Sequence, residues 1–292
     1  MNKKTMSGLV AIVLVIVGCR LAWAEDVPKD DDSKTQEIRS LPWQKGPGPG
    51  KVGDKATIAI PSGGSFLDES KGSRFLELLG NLPSPGTTIL AFGNWFATLN
   101  FSDSGYIKDD EKLDPDALLA QLKGQDEEAN AERKKRSIPQ LYTDSWAVPP
   151  HYDAETKHLE WGLNLRVEGQ SEPVVNYTVR LLGRSGFETV VLVSSPKELD
   201  AGVKELKKVL GGFDFVGGQR YAEFRQGDRV AEIGLGALIV GGAAAAVVKT
   251  GYWKTILAAL VAGWKFVAAG IAAVFYGAKK MIGRGKSGGM DS

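Results

Sequence analysis

Carboxylates are the residues of this sequence that could do chemistry at first sight. Lys108-Asp109-Asp110-Glu111 puts three acids in succession, and paired carboxylates can share a proton or hold a divalent ion. A hydrolase or transferase built on them would need Asp109 or Asp110 to converge with Glu160 or Glu223 in one pocket. Against this, consecutive residues on a strand or turn point apart, and Asp114 stands ready to cap the helix that follows. A second set occupies the polar positions of two alternating stretches: Asn164, Arg166, Asn176, Thr178 and Arg180. Covered by a helix, they would form a polar cleft of Arg180, Asn176 and Glu160; uncovered, they are the wet face of a sheet. Trp146, Tyr152 and Trp161 could stack on a sugar or another ring, or plug a core. Asn130, Glu132 and Arg133 come late on a charged helix, where Glu132 and Arg133 cannot face each other. The run Arg133-Lys134-Lys135-Arg136 suits a helix C-terminus, or anionic lipid if that end approaches a membrane.

Other chemistries find less material. The one cysteine, Cys19, lies in an N-terminal apolar segment, so a chain cut behind that segment has no thiol for disulfides, nucleophilic attack or zinc. The two histidines, His151 and His158, have no metal-ligand spacing. No G-x-S-x-G, P-loop, H-E-x-x-H or dinucleotide-binding fingerprint occurs. We therefore expect no cofactor, no metal and no catalytic set. Acidic and basic residues nearly cancel (35 against 36), which argues against a nucleic-acid partner.

The elements that must position these residues follow from periodicity. Ala56 to Ile60 reads as a short strand, and Phe75, Leu76, Leu78 and Leu79 as an apolar helical cluster. In the stretch from Asn94 to Phe101, Trp95, Ala97, Leu99 and Phe101 share one strand face. Asp114-Pro115 opens a charged helix reaching about Lys135. Leu159 to Val167, Val175 to Leu181 and Phe187 to Val193 alternate as an antiparallel meander. Ser195-Pro196, with Glu198 as a capping-box partner, starts a helix buried through Leu199, Val203, Leu206 and Leu210 and stopped by Gly211-Gly212. The sum is an α+β domain over residues 51–227, a mostly antiparallel sheet with packed helices and a layered α/β/α arrangement as one option.

The two ends differ from the middle. Lys3 and Lys4, the apolar run Leu9 to Val17 and Ala22-Trp23-Ala24 make a secretory signal over residues 1–24. Ile16-Val17-Gly18-Cys19 offers the alternative of lipidation at Cys19. Residues 25–50, with Asp30 to Asp32 and Gly46-Pro47-Gly48-Pro49-Gly50, read as a flexible leader. Ile233 to Val248 and Thr255 to Ala278 are apolar, the second interrupted by Lys265, and together imply a membrane region over residues 228–282 with one or two helices. Residues 283–292 form a basic tail. Lysine in mid-span is costly and marks a functional candidate, so Lys265 is one; an interfacial lysine is the competing reading. Gly234, Gly236, Gly241 and Gly242 would let a second helix approach, which favours self-association through the Gly/Ala-rich tail.

Several strings recur together as a pattern. They are Gly105-Tyr106-Ile107-Lys108-Asp109-Asp110, Asn130-Ala131-Glu132-Arg133, Trp146 with Pro149-Pro150-His151-Tyr152-Asp153, and Leu159-Glu160-Trp161. Val175-Asn176-Tyr177, Leu182-Gly183-Arg184-Ser185-Gly186, Arg220-Tyr221-Ala222-Glu223-Phe224 and Asp228-Arg229-Val230-Ala231 follow. In order and spacing they resemble the membrane-anchored bacterial proteins grouped as DUF2167, from about Trp43 into the apolar tail. Glu223 and Ile107 depart mildly from the pattern. The resemblance implies an envelope-anchored architecture and brings no activity, cofactor or catalytic residue; its strings add Tyr177 and Arg184 to the candidate site. A fainter likeness, over Val190 to Phe215, is to layered periplasmic domains of the Mog1/PsbP kind, and concerns fold alone. The expectation is a bacterial inner-membrane protein with its main domain facing the periplasm, touching lipid and binding a protein partner or itself. A carboxylate-dependent enzyme and a small-molecule or lipid sensor are the alternatives.

Overall fold

A computed structural model describes residues 32–241 apart from 80, 82, 94 and 136. The stretch expected as a signal, Cys19, Lys265 and the tail from residue 242 lie outside the described residues. The elements in chain order are α1 (Asp32–Ser40), β1 (Gln44–Lys45), β2 (Gly48–Val52), β3 (Ala56–Ile60), β4 (Ser65–Leu67), α2 (Glu69–Leu78), β5 (Thr87–Phe92) and β6 (Trp95–Ser102). Then come α3 (Pro115–Lys135), β7 (Leu141–Asp153), β8 (His158–Val167), β9 (Val174–Leu182), β10 (Phe187–Ser194), α4 (Leu199–Leu210), β11 (Phe213–Phe215) and α5 (Leu235–Val240), with a single 3₁₀ turn at Tyr221–Glu223.

Eight strands form one sheet in the order β1-β4-β5-β6-β10-β9-β8-β7, and β11-β3-β2 form a second, small one. Every pair of named strands is antiparallel. The meander β8-β9-β10 is the part that strict alternation makes predictable. Helices cover both faces of the large sheet. On one, α4 and the small sheet bury Tyr177, Val179, Val190, Leu192, Trp95 and Leu99. On the other, α3 and α5 cover Leu159, Trp161, Leu163 and Leu165, while α2 covers Ile89, Phe96 and Val191. The fold is thus α+β, with a mostly antiparallel sheet.

This double coverage corrects the wet-face reading. The register pairs Leu159 with Arg180 and Trp161 with Thr178, so the apolar row of β8 and the polar row of β9 point to the same side. The face that β9 presents as polar is a core, and Asn176, Thr178 and Arg180 are all buried in it.

Two boundaries shift as well. The stretch expected as a leader contains α1, β1 and the start of β2. Trp43 fastens it, its ring edge-on to Phe75 at 5.4 Å and its indole N–H donating to the Ile38 carbonyl. Gly50 fits closely there, since a Cβ would lie 3.1 Å from the Phe66 ring. At the other end, the first part of the apolar run assigned to the membrane is α5, whose residues Leu235 and Leu238 are buried with α3 in the domain core. Gly234 packs on Glu111, where a Cβ would meet the carboxylate at 2.0 Å, and Gly236 donates its N–H to that carboxylate. Both glycines therefore serve packing within the chain. Among the described residues, no helix is long and apolar enough to cross a membrane.

Candidate functional site

The polar constellation with an opening to solvent centres on Glu160. The β7–β8 hairpin turns at Asp153, whose carboxylate accepts from the Glu155 N–H at 2.8 Å, and its register sets His151 opposite Glu160. The neighbouring strand brings Tyr177, whose hydroxyl donates to Glu160 Oε2 at 2.5 Å. From above, α4 extends Lys207, with Nζ 2.6 Å from the same oxygen. His151 Nε2 lies 3.3 Å from Oε2, and His158 Nδ1 lies 3.9 Å from Oε1. Both histidines of the chain thus meet at one carboxylate although their spacing in sequence suggests nothing. Burial pushes the Glu160 carboxyl up, but the hydrogen bonds from Lys207 and Tyr177 outweigh it and hold it below its ordinary value. His158 is pushed down, chiefly by burial. The Tyr177 phenol is pushed up by burial and by donating to Glu160, so it stays protonated.

Beside this cluster runs an open groove of about 410 Å³ between α4 and the strands. Val148, Tyr177, Leu199 and Val203 give it an apolar floor; His151, Lys204, Lys207 and Asp200 stand in its walls. Lys207 is half exposed while Glu160 is buried at 6%, so the lysine spans from the groove to the carboxylate. The arrangement can hold an anionic or amphipathic group at its rim. Among the described residues, no group of three acidic, histidine or cysteine side chains could hold a metal ion.

The other candidates separate into different places. Asp109 lies on the opposite side of the sheet from Glu160. It accepts from the Tyr152 hydroxyl at 2.9 Å and from Lys157 Nζ at 2.9 Å, and Tyr152 belongs with the α3–α5 core. Burial raises the Asp109 carboxyl, but Lys157 and Tyr152 hold it lower than usual. Asp110 is exposed beside it. Glu223 accepts from the Arg220 N–H at 2.8 Å and so closes the 3₁₀ turn. The convergence of Asp109 or Asp110 with Glu160 or Glu223 is therefore absent: Asp109 and Glu160 stand on opposite sides of the sheet with separate partners, and Glu223 is engaged by the Arg220 N–H. The cleft of Arg180, Asn176 and Glu160 fails too, Glu160 lying on the other face of the sheet.

Arg180 is buried, with its guanidinium 4.6 Å from the Phe187 ring and 5.7 Å from the Trp161 ring, and burial pulls it down to about 10. Its cross-strand neighbour Thr189 accepts from Nη1. Next to that pair, and pointing to the opposite face, Glu188 is wholly buried. Trp161 is thus a core residue, and Trp146 donates to the Pro115 carbonyl at 3.0 Å, where β7 meets the start of α3. Arg184 makes a bidentate pair with Asp228, both contacts at 2.7 Å, holding that carboxyl at about 2. Late on α3, Asn130 bonds both backbone groups of Leu141, donating at 2.7 Å and accepting at 2.8 Å. One turn earlier Asp126 accepts from the Thr143 N–H and hydroxyl. Arg133 is buried alongside, which lowers it, and Glu132 is exposed near Lys135. These helix residues tie α3 to β7.

Sequence reading missed Lys207 and the histidines as partners of Glu160. The available signal was the hairpin register, since a turn at Asp153 to Lys157 sets His151 opposite Glu160.

None of the curated proteins compared with the chain matches it. Among solved structures, the solution structure of cyanobacterial PsbP (CyanoP) from Synechocystis sp. PCC 6803 is similar at 13% identity and a TM-score of 0.34, over 55% of this chain and 86% of that one. The family profile described as "Protein of unknown function (DUF2167)" matches residues 44–275. That span takes in the Glu160 cluster, the Asp109 contacts and the Arg184–Asp228 pair, and the chain belongs to the DUF2167 family.

Proposed function

We propose that this is a bacterial inner-membrane protein, anchored by the apolar stretch behind its folded domain, and that the domain faces the periplasm and binds a partner protein rather than catalysing a reaction. One observation supports the binding role: the groove beside α4 combines an apolar floor of Val148, Leu199 and Val203 with Lys204, Asp200, His151 and the Glu160-paired Lys207 at its rim. A mixed polar rim over an apolar floor suits an amphipathic segment of a partner with an acidic group placed for Lys204, the polar groups choosing the partner and the floor supplying the burial. The carboxylate in the cluster already accepts from Tyr177 and Lys207, so it fixes the groove wall instead of waiting for a substrate proton. For anchorage the support is in sequence: Thr255 to Ala278 is long enough to span a bilayer, and Lys279, Lys280, Arg284 and Lys286 follow it.

The test is site-specific photocrosslinking in cells, with the photoreactive residue at Val203 in the groove and at Glu172 in the exposed β8–β9 turn as control. A partner captured from 203, absent from 172 and lost with Lys204→Glu is the expected result. Equal capture at both positions, or capture indifferent to Lys204→Glu, would overturn the groove as the binding site.

A further inference from the structure

Large hydrophobic residues left exposed among the described residues are Val216, Phe224 and Val230, each 37–38% accessible. Scattered singly they would mean nothing. Here all three fall between 216 and 230, and two are joined through one residue. The Tyr106 ring lies 4.2 Å from that of Phe224, and the Tyr106 backbone bridges to Val230, receiving a hydrogen bond from the Ala231 N–H at 2.9 Å and donating to the Arg229 carbonyl at 2.8 Å. Tyr106 also stacks on Tyr221 at 4.4 Å, which backs the patch with a rigid aromatic layer.

The charges around this patch are largely consumed. Arg220 pairs with Asp214, Arg184 with Asp228, and Arg229 with Asp103. Near it in sequence Lys108, Asp110, Arg225 and Glu232 are exposed, two of each sign. An apolar, aromatic surface among balanced charges is what the interfacial layer of a bilayer accepts: rings and aliphatic groups enter the headgroup zone while charged groups stay in water. Its position in the chain names the occupant. Just behind Val230 the sequence becomes apolar, through α5 and into the uncharged stretches that follow Gly241. Gly241, the last residue described, comes eleven positions after Val230, so an anchor in the stretch that follows would keep this part of the chain near the membrane.

We infer that Tyr106, Phe224 and Val230 form a lipid-contacting patch that seats the folded domain on the surface of the bilayer, a contact that rests on the anchorage proposed above. Because the neighbouring charges pair among themselves, the contact is mainly apolar and persists at high salt and on neutral lipid.

The experiment uses the full chain with Cys19→Ser, reconstituted in phosphatidylcholine vesicles. An environment-sensitive fluorophore is attached at one of three introduced cysteines: Gln226→Cys in the patch, Asp54→Cys in the exposed β2–β3 turn, or Ala268→Cys in the apolar stretch. Quenching by nitroxide lipids reports contact. The expected result is quenching at 226 and 268 and none at 54, with the signal at 226 falling to that at 54 when Phe224→Ser and Val230→Ser are combined. Quenching at 268 with 226 as dry of lipid as 54 would overturn the patch and leave the anchorage standing. No quenching at 268 would remove the anchorage and the patch together. A blue shift at 226 that rises with protein density and ignores nitroxide lipid would overturn the lipid contact in favour of a second copy of the chain.

Discussion

Replacing Glu188 with leucine should stabilise this domain. Glu188 sits on β10 between Phe101 of β6 and Leu181 of β9, on the face packed with Val190 and Leu192. It is 0% exposed, and among the described residues neither carboxyl oxygen has a hydrogen-bond partner. Burial drives its pKa well above the usual carboxylate range, so the fold keeps the group protonated. A neutral, partnerless carboxyl in such a site costs about 1–3 kcal/mol, and leucine has a comparable volume without that cost. Glu188→Leu should therefore raise stability by about 2 kcal/mol, equivalent to a rise in Tm of about 4–8 °C for a domain of this size. The pH dependence carries the sharper signature. Below the unfolded carboxyl's range both states hold the proton, and the difference between the proteins is the cost of the neutral group alone. As pH rises through that range, the unfolded chain releases the proton and the fold does not, so the wild type loses stability until the buried group itself ionises. The advantage of Glu188→Leu should thus grow between about pH 4 and pH 7. Thermal unfolding followed by circular dichroism over that range, on the full chain in a neutral detergent, measures both. A destabilised variant, or a difference that does not change with pH, would refute the reasoning and mean that Glu188 has an ionic partner.

Three further substitutions test other joints of the structure. Gly72→Ala in α2 should destabilise by about 3 kcal/mol despite alanine's better helix propensity, because a Cβ would lie 1.8 Å from the Thr87 carbonyl; urea unfolding reads it directly. Asn130→Ala should cost about 2–3 kcal/mol, since the Leu141 N–H and carbonyl both lose their side-chain partner, and exchange of the Leu141 amide should accelerate well before global unfolding. Glu160→Gln should flatten the acid limb of the stability profile. The wild-type carboxyl is held below its ordinary value by Lys207 and Tyr177, so its contribution is present above the unfolded value and lost as pH falls through the folded one.

Much of this architecture can be read from side-chain period, and its failures have definite causes. Alternation marks β6, β8, β9 and β10, and Asp114-Pro115 marks the start of α3, where the Asp114 carboxylate accepts from the Ala117 N–H. α4 begins at Leu199, later than the Ser195-Pro196 signal suggests, because the Glu198 N–H first closes a turn onto the Ser195 carbonyl. β7 escapes notice because Pro149-Pro150 and three register shifts break its period, as suits a strand at the end of a sheet. The faces of the meander mislead for a subtler reason. Alternation tells which residues of one strand share a side, but the relative phase of neighbouring strands comes from register, and register depends on turns. Hence Glu160 and Arg180 read as neighbours across one cleft while standing on opposite sides of the sheet. Of the site, sequence reading found Glu160 and Tyr177 and missed Lys207, whose approach depends on how α4 lies across the strands.

The fastening of β7 has a consequence for encounters between copies of the protein. An end strand normally offers unpaired amides and carbonyls that another strand can extend. Here Asn130 and Asp126 of the chain's own helix occupy those groups at Leu141 and Thr143, and farther along two prolines have no N–H to give. At these four positions the edge has no free N–H to offer. A strand from another copy would find its donors missing at Leu141, Thr143, Pro149 and Pro150, so this stretch of β7 is a poor template for extending the sheet.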